Sequence, residues 1–549
     1  MDYDTRLNRI GDIVDANAEN FNHRIALAYH EYGFENTFAE FRDICRQVAK
    51  GLIALGVQRG DHIAVWANNQ PEWVYTQFGS AMTGAVLVTV NTNFRAFELE
   101  YLLEQSDTTT LIMTHGVREP NEYIRILKKV CPEIDQCDPG GLKTEKLPYL
   151  KNIVLLGQDP KDGMFTWQQI LEMGHRISDE ELDERSQSID ADDVTMIQYT
   201  SGTTGYPKGV MLTHRNLIGN ARSMAEIMAL TPDDSLCIPV PFFHCFGCVI
   251  GTMCCTVSGA TMAPVTAFNP EKVLETVDAL KCTALHGVPT MFIAELEAMN
   301  GKNYDTSHLR TGVMAGSTCP VEVMKGVMEK MGAQELTIVY GQTESSPGIT
   351  QTRRNDSMPI RTETVGRALP NVEVKIVDTV TGETLPTGET GELCSRGYHI
   401  MKGYYKMPDK TAETIDKDGW LHTGDLASMD ENGNCTIQGR LKDMIIRGGE
   451  NIYPREIEEF LYTHPAVQDV QVVGIPDEKY GEEVAAFIQV RNGKTPSEEE
   501  IREFCKDKIS FHKIPRHIHF VDEFPSTASG KIQKYKLREM AIPDGAPQS

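Results

Sequence analysis

The residues best equipped for chemistry lie in one short stretch, residues 199–209. It combines three glycines, four serine or threonine hydroxyls and one lysine, Lys208. Glycines let backbone N–H groups turn towards an anion, hydroxyls add donors, and the lysine adds positive charge. A flexible surface turn has a similar composition, and the stretch is not a Walker A loop because Pro207 precedes Lys208 and Gly209 follows it. We interpret it as a loop that can hold a polyphosphate.

Other polar groups follow predicted strands or turns. Residues 340–344 read Tyr-Gly-Gln-Thr-Glu and follow a strand, which brings a tyrosine, a hydroxyl and the Glu344 carboxylate to a strand end. Asp425 ends a Trp-Leu-His-Thr-Gly-Asp run, and its carboxylate can accept two hydrogen bonds. Lys531 ends a Ser/Thr/Gly-rich segment near the C-terminus. Taken alone, these residues could equally form an ordinary turn, a buried acid and a solvated lysine.

The elements that must position these residues can be read from hydrophobic patterns. Residues 194–199 predict a buried strand, residues 210–212 predict a second one, and Thr213 predicts the N-cap of a helix. Residues 1–190 alternate strand and helix patterns, which is typical of parallel sheets covered by helices. Short alternating runs between 362 and 438 predict a small β-rich unit.

Length and charge limit the functional classes. The chain has 549 residues, 40% of them hydrophobic, which is typical of a globular protein with several structural units. Its formal net charge of −25 argues against nucleic acid as a partner, although a local basic cleft could still bind a nucleotide. The acidic N-terminus predicts no signal peptide, and prolines and glycines in the uncharged run 235–270 argue against a membrane span.

Cysteine usage points to a reducing compartment. Thirteen cysteines are scattered without a disulfide framework, so we expect free thiols and a cytoplasmic location. Cys245 and Cys248 form a CxxC pair that could act in redox chemistry or supply half a zinc site. No second CxxC accompanies it, and its apolar flanks favour buried thiols.

These motifs, in this order, resemble those of the adenylate-forming enzymes: acyl-CoA synthetases, aryl-CoA ligases, carrier-protein adenylation domains and firefly-type luciferases. The match at residues 199–209 is nearly letter for letter, and five separated motifs extend the resemblance over nearly the whole chain. The chain looks most like the medium-chain fatty acyl-CoA synthetases. The resemblance implies an α/β fold with two parallel-rich sheets and a small β-rich subdomain in residues 1–441, and a mobile α+β cap in residues 442–549.

The resemblance also implies roles for individual residues. Tyr340 would stack on adenine, Thr343 would contact the α-phosphate, and Asp425 would bind the ribose hydroxyls. Glu344, with Thr200, would hold Mg²⁺. The implied ATP and AMP contacts are Thr200, Ser201, Gly202, Thr203, Thr204, Gly205, Lys208, Gly316, Ser317, Tyr340, Gly341, Gln342, Thr343, Asp425, Arg440 and Lys531. The implied catalytic residues are Lys531, Glu344, Thr343 and Lys208.

The resemblance also implies sites for coenzyme A and for the carboxylic acid. Gly448 and Gly449 would guide the pantetheine arm of coenzyme A, and Lys442 would be the hinge, a position that is aspartate in some branches. The acyl pocket would be lined by Phe243, His244, Val288 and Gly341. Taken alone, a histidine among phenylalanines is more often a core residue than a catalyst.

The implied reaction is ATP-dependent activation of an apolar carboxylic acid, a medium-chain fatty acid first of all, to acyl-AMP, followed by transfer to coenzyme A. An aryl- or alicyclic-acid CoA ligase is an alternative, and a nucleotide sensor without catalysis is another. The expected co-substrates are ATP, Mg²⁺ and coenzyme A, and the expected partners are small molecules, with homo-oligomerisation left open. No phosphopantetheine-serine motif is present to favour a carrier-protein adenylation domain.

Overall fold

A computed structural model describes residues 8–157, 159, 161–200, 207–317, 319–448, 450–477, 479–506, 508–527 and 532–541, with only the backbone at 450 and 451. Over these residues it confirms the predicted α/β class, with parallel-rich sheets in the larger part and a smaller C-terminal unit that contains its own sheet.

One sheet carries the predicted phosphate loop. Within the described residues it has eight strands, in the order Gly403–Tyr404, Lys208–Thr213, Val194–Thr200, Val86–Thr89, His62–Trp66, Thr108–Met113, Asn152–Leu155 and Phe165–Thr166. The strands from Val194–Thr200 onwards run parallel, whereas the first two add antiparallel pairs at one edge. Because parallel strands are buried on both faces, they are rich in apolar residues, as the fully buried strand His62–Trp66 illustrates with four apolar residues of five.

A second sheet has nine strands over the same described ranges, and its centre is also parallel. Their order is Arg367–Ala368, Gly348–Gln351, Glu335–Gly341, Thr311–Met314, Ala284–Gly287, Ser235–Ile238, Thr261–Pro264, Ile25–Tyr29 and Phe34–Thr37. Gly348–Gln351 runs antiparallel to Glu335–Gly341, so the chain reverses between them at residues 342–347. This reversal is the second motif singled out from the sequence.

Two smaller sheets follow in the chain. The predicted β-rich unit is an antiparallel sheet of Val372–Val377, Gly391–Gly397, Leu421–Met429 and Cys435–Arg440. The C-terminal sheet contains Glu450–Ile452, Ile445–Arg447, Gly481–Val490 and Val467–Asp477, with His517–Phe520 parallel to Gly481–Val490. Its apolar core is separate from the cores of the larger part of the chain, which suits an independently packed unit.

Helices cover the sheets and connect the parallel strands. The α-helices of the described residues are Ile10–Asn20, Phe38–Ala54, Pro71–Thr83, Ala96–Gln105, Glu122–Val130, Trp167–Gly174, Asp179–Gln187, His214–Ile227, Cys254–Ser258, Pro270–Ala279, Pro289–Ala298, Val321–Gly326, Met358–Glu363, Pro408–Thr414, Pro454–Tyr462, Glu498–Cys505 and Lys534–Ala541. Thr213 caps His214–Ile227 as predicted, because its side chain accepts the Asn216 N–H. None of these helices is long and apolar enough to cross a membrane.

The uncharged run 235–270 folds into a buried strand, a π-helix continued by the short α-helix Cys254–Ser258, and a second strand. The π-helix, Phe246–Met253, lies between Ser235–Ile238 and Thr261–Pro264, and all of its residues are buried. Wide helical turns of this kind recur near functional sites. Here the π-helix directly follows the aromatic and histidine segment predicted to border the acyl pocket.

Candidate active site

The two ends of the predicted phosphate loop are held together by strand pairing. Val194–Thr200 and Lys208–Thr213 form an antiparallel hairpin in which Thr200 lies opposite Lys208. Ser201, Gly202, Thr203, Thr204 and Gly205 lie outside the described residues, so their predicted contacts stay predictions. The hairpin nevertheless places Thr200 and Lys208 opposite each other on paired strands.

Lys208 is bonded to a tyrosine that sequence reasoning missed. Its Nζ donates a 2.9 Å hydrogen bond to the Tyr404 hydroxyl and lies 4.1 Å from the centre of that ring. Tyr404 belongs to the edge strand Gly403–Tyr404, where it pairs with Val210. Its hydroxyl donates a 2.7 Å hydrogen bond to Glu344 Oε1. Burial and the Glu344 carboxylate both raise the pKa of Tyr404, so the phenol keeps its proton.

This Lys208–Tyr404–Glu344 chain joins the two large sheets. Lys208 and Tyr404 belong to the eight-stranded sheet, whereas Glu344 follows the strand Glu335–Gly341 of the nine-stranded one. Glu344 is 9% exposed, and its carbonyl also accepts the Met401 N–H at 2.9 Å. A buried carboxylate with one oxygen bonded to a phenol retains a second oxygen for a cation. Glu344 therefore fits the hard oxygen ligand that Mg²⁺ requires.

Glycine at position 341 is required by a close approach of two backbone segments. An ideal Cβ there would lie 1.8 Å from the Pro347 carbonyl oxygen, which no side chain tolerates. The segment then turns through a short 3₁₀ helix, Thr343–Ser345, and Ser345 Oγ accepts the Gln342 N–H at 3.0 Å. This tight reversal holds Thr343 and Glu344, both buried, beside the hairpin.

A second polar cluster contains the predicted ribose ligand. Asp425 and Arg440 face each other on paired strands of the four-stranded sheet, and Arg440 Nε lies 3.3 Å from Asp425 Oδ1. The Tyr340 hydroxyl donates to Asp425 Oδ2 at 2.8 Å. Burial and the nearby Asp425 carboxylate raise the pKa of Tyr340 well above its usual value. The structure thus brings together three residues that are separated in sequence by up to 100 positions, and their assignment to the nucleotide stays a prediction.

The predicted adenine turn lies against the predicted acyl pocket. Gly316 has a φ of +89°, and an ideal Cβ there would lie 3.1 Å from Cγ1 of Val288. Ser317 is exposed beside it. Val288 is buried at the start of the helix Pro289–Ala298. A ligand on the adenine turn and one beside Val288 would therefore be neighbours.

The aromatic and histidine segment contacts the turn at residues 343–345. His244 Nδ1 accepts the Phe246 N–H at 3.1 Å, which orients the imidazole, and Phe243 is buried beside it. Cys245 Sγ lies 3.8 Å from Thr343 Oγ1. Phe243 and His244 thus directly precede the residue that contacts Thr343.

The CxxC thiols have separate, structural environments. Cys245 faces Thr343, whereas Cys248 Sγ accepts a hydrogen bond from Gln198 at 3.0 Å. Burial raises the pKa of Cys245 to about 12 and that of Cys248 well above the usual value. Neutral buried thiols are poor nucleophiles, and these two thiols face different partners, so the expectation of buried thiols fits better than redox chemistry.

The predicted hinge and coenzyme A residues lie beyond the four-stranded sheet. Lys442 is in the short turn Leu441–Asp443, where burial and the neighbouring Arg440 lower its pKa. Gly448 has a φ of +59° and donates its N–H to the Tyr480 carbonyl at 2.8 Å. Gly449 and Lys531 lie outside the described residues, and Ser526 and Ile532, which flank Lys531, form an isolated antiparallel bridge.

Comparison with known families now defines the class of protein. The model of the AMP-binding enzyme family matches residues 14–405, and that of the AMP-binding enzyme C-terminal domain matches residues 456–531. The chain therefore belongs to the AMP-binding, adenylate-forming enzymes.

Individual relatives narrow this class to the acid–thiol ligases. The provisionally named acyl-CoA synthetase YngI of Bacillus subtilis (strain 168) is 56% identical over 533 residues, 97% of each chain. The mitochondrial medium-chain acyl-CoA ligase ACSF2 of Rattus norvegicus is 41% identical over 96% of this chain and 87% of its own. The crystal structure of the anthranilate CoA ligase AuaEII with anthranoyl-AMP matches with a TM-score of 0.82 at 27% identity over 97% of both chains. The chain is an acyl-CoA synthetase, an enzyme class that uses ATP, Mg²⁺ and coenzyme A.

Proposed function

We propose that the protein converts an apolar carboxylic acid, first of all a medium-chain fatty acid, and ATP into acyl-AMP and pyrophosphate, and then transfers the acyl group to coenzyme A. The observation that carries this proposal is the Lys208–Tyr404–Glu344 chain. In it an ammonium group and a carboxylate are bonded to the same phenol, and we assign the first to phosphate and the second to a metal ion. The Tyr340–Asp425–Arg440 cluster supplies acceptors for ribose beside it.

In the first half-reaction, the substrate carboxylate attacks the α-phosphate of ATP and pyrophosphate leaves. Charge grows on the phosphoryl oxygens and on the leaving group, so positioned cations lower the barrier. We assign this task to Lys208 and Lys531, with Thr343 donating to the α-phosphate. Glu344 and Thr200 would hold Mg²⁺, which supplies further neutralisation of phosphate charge. The acid is already ionised near neutral pH, and no general base is needed.

In the second half-reaction, the thiol of coenzyme A attacks the acyl carbonyl and AMP leaves. The Gly448–Gly449 face would then have to replace Lys531 at the active site, because pantetheine needs a path that a lysine-bearing loop would occupy. We propose that residues 442–549 rotate about Lys442 as one unit against residues 1–441. The separate core of the C-terminal sheet supports such a unit.

The acid itself is proposed from the lining of the pocket and the names of relatives. Phe243, Val288 and the ring of Phe246, which lies 5.6 Å from that of His286, offer apolar walls. A medium-chain acid is favoured by the ligase named ACSF2 at 41% identity. An aryl acid is the second candidate, because a ligase solved with anthranoyl-AMP has the same fold over nearly the whole chain.

The experiment is a screen of acid-dependent pyrophosphate release with the purified protein. Straight-chain acids of increasing length and benzoate-type acids are compared at equal concentration, with and without coenzyme A. We expect the highest kcat/KM for a medium-chain acid and formation of AMP only when an acid is present. A maximum for aryl acids would replace the first candidate by the second. If no carboxylic acid stimulates the splitting of ATP into AMP, the proposed reaction is wrong.

We also propose a cytoplasmic location, which the thiols support. All 13 cysteines are free, and 12 of them are buried. Fractionation of cells followed by detection of the protein tests this, and recovery from an oxidising compartment would contradict it.

A further inference from the structure

A second cluster of ligand-type side chains lies in the four-stranded sheet, apart from Glu344. Cys394 on the strand Gly391–Gly397 is directly opposite His422 on the strand Leu421–Met429. Glu392 lies two residues before Cys394 and so shares its face of the sheet. Cys394 is fully buried, whereas the side chains of Glu392 and His422 are 14% and 34% exposed. The cluster is therefore anchored in the sheet but reachable from solvent.

Two of the three donor pairs are already close to the spacing that a metal ion imposes, and all three donor atoms lie within 4.8 Å of one another. Cys394 Sγ lies 3.4 Å from His422 Nδ1, and His422 Nδ1 lies 2.8 Å from Glu392 Oε2. With bonds of about 2.3 Å to sulfur and about 2.0 Å to nitrogen or oxygen, a tetrahedral ion requires roughly 3.5 Å for the first pair and roughly 3.3 Å for the second. The distance from sulfur to nitrogen fits without movement, and the Glu392 oxygen needs to move away from His422 Nδ1 by only about 0.5 Å. Across the part of the chain that the structure describes, no other three His, Cys, Asp or Glu side chains bring their donor atoms this close together.

The other nitrogen of the histidine faces a carboxylate. His422 Nε2 lies 3.8 Å from Asp416 Oδ2. The Asp416 side chain is itself fixed, since its Oδ1 accepts the N–H groups of Asp418 and Trp420, each at 2.9 Å. Metal-binding histidines regularly direct their second nitrogen to a carboxylate in this way, which fixes the tautomer and orients the ring. Asp416 is thus placed to orient His422.

We propose that Glu392, Cys394 and His422 form a binding site for a borderline-soft divalent cation, Zn²⁺ in the first place, with the fourth position left to water. On binding, the Cys394 S–H bond breaks, its proton passes to solvent, and the thiolate binds the ion. The Nδ1 proton of His422, which faces the Glu392 carboxylate in the metal-free protein, is lost to solvent, and Nε2 takes a proton from solvent, so that the neutral ring binds the ion through Nδ1 and directs its one proton towards Asp416. Mg²⁺ does not suit this site because it requires near-octahedral oxygen ligands.

The site is connected to the proposed ribose cluster through Glu392. While Oε2 of this residue faces His422, its Oε1 accepts the Gly424 N–H at 2.9 Å. Gly424 directly precedes Asp425, whose own N–H is bonded to Thr423 Oγ1 at 3.1 Å. A cation that pulls the Glu392 carboxylate moves the backbone beside Asp425. Occupancy of the site should therefore change the affinity for AMP.

The test uses Co²⁺ as a spectroscopic probe on the metal-stripped full-length protein in a non-thiol reductant. We expect a thiolate-to-cobalt charge-transfer band that saturates near one equivalent and is lost when Zn²⁺ displaces Co²⁺. Cys394→Ser should abolish the band. The matched control is Cys435→Ser, because Cys435 is equally buried in the same sheet and does not belong to the cluster. Asp416→Asn should keep the band and weaken binding about 10- to 100-fold.

Two further measurements make the outcome decisive. Near-ultraviolet circular dichroism and thermal unfolding establish that each variant is folded. If Cys394→Ser is not folded, Cys394→Ala takes its place in the same test. Absence of the band in the wild-type protein, or its persistence without the Cys394 thiol, would overturn the site. The AMP dissociation constant is measured with and without Zn²⁺ by fluorescent-nucleotide displacement. A severalfold change that disappears in Cys394→Ser supports the connection to Asp425, and an unchanged constant refutes that connection.

Discussion

Replacing Tyr404 by phenylalanine tests whether the Lys208–Tyr404–Glu344 chain positions the metal ligand. The change removes one hydroxyl that accepts from Lys208 at 2.9 Å and donates to Glu344 Oε1 at 2.7 Å. The ring, and with it the 4.1 Å contact to the ammonium group, is retained. The perturbation is therefore confined to two charge-assisted hydrogen bonds.

The size of the effect follows from the burial of Glu344. A hydrogen bond to a charged group contributes about 1.5–3 kcal/mol, and 1.4 kcal/mol corresponds to a tenfold change in an equilibrium or rate constant. Lys208 can turn to solvent or phosphate, but Glu344, which is 9% exposed, loses its phenol partner inside the protein. We expect kcat/KM for MgATP to fall about 10- to 100-fold and half-saturation by Mg²⁺ to shift upwards.

The assay is acid-dependent pyrophosphate release, with Mg²⁺ and ATP varied independently. Tyr405→Phe is the matched control, since the Tyr405 hydroxyl bonds to Asp107 at 2.9 Å and not to Glu344. Thermal unfolding separates loss of folding from loss of positioning. Equal effects of the two substitutions, or an unchanged Mg²⁺ dependence in Tyr404→Phe, would show that Tyr404 does not position Glu344.

Three other predictions address the cap and the core. Lys531→Ala should slow adenylate formation by more than about a hundredfold, while thioester formation from supplied acyl-adenylate continues. An equal loss in both half-reactions would contradict the role assigned to Lys531. Lys442→Pro should trap one arrangement of the cap, so that one half-reaction persists while overall turnover falls; normal turnover would refute the hinge. Burial raises the pKa of Glu295 to about 8, and neither carboxyl oxygen has a partner in the described structure. Because its pKa in the folded state exceeds the unfolded value of about 4.3, the stability that protonated Glu295 contributes is complete below about pH 4.3 and is lost as pH rises through about 8. Glu295→Gln should therefore have a higher melting temperature than wild type at pH 8 but not at pH 4.

The parts of the fold that were predictable are those set by local patterns. Thr213 is a threonine three positions before Asn216, and the helix starts there because that spacing closes a capping box. The strand Asn152–Leu155 and the helix Phe38–Ala54 likewise follow from runs of apolar residues with the period of each element. Family resemblance, and not periodicity, named Asp425 and Arg440, yet strand pairing then places them opposite each other.

What the sequence did not predict depends on contacts between distant segments. Tyr404 reaches Lys208 only because the two-residue strand Gly403–Tyr404 pairs with a strand almost 200 positions earlier, and such a short strand has no recognisable pattern. Position 341 requires glycine because the Pro347 carbonyl oxygen lies against it after the chain reverses, and the sequence alone does not predict this contact. The π-helix Phe246–Met253 similarly has the composition of an ordinary buried helix.

The internal bonds of the site explain how an acidic protein can recruit a polyanion. The chain carries a formal charge of −25, which repels ATP at long range. Yet both carboxylates nearest the proposed nucleotide are bonded to donors, Asp425 to Tyr340 and Arg440, and Glu344 to Tyr404. Each carboxylate oxygen can accept a second bond, so ribose hydroxyls or a metal ion can add to these groups without first displacing their partners. The positive charge that matters for binding is thus local, on Lys208 and Arg440, and the two tyrosines hold the carboxylates in place.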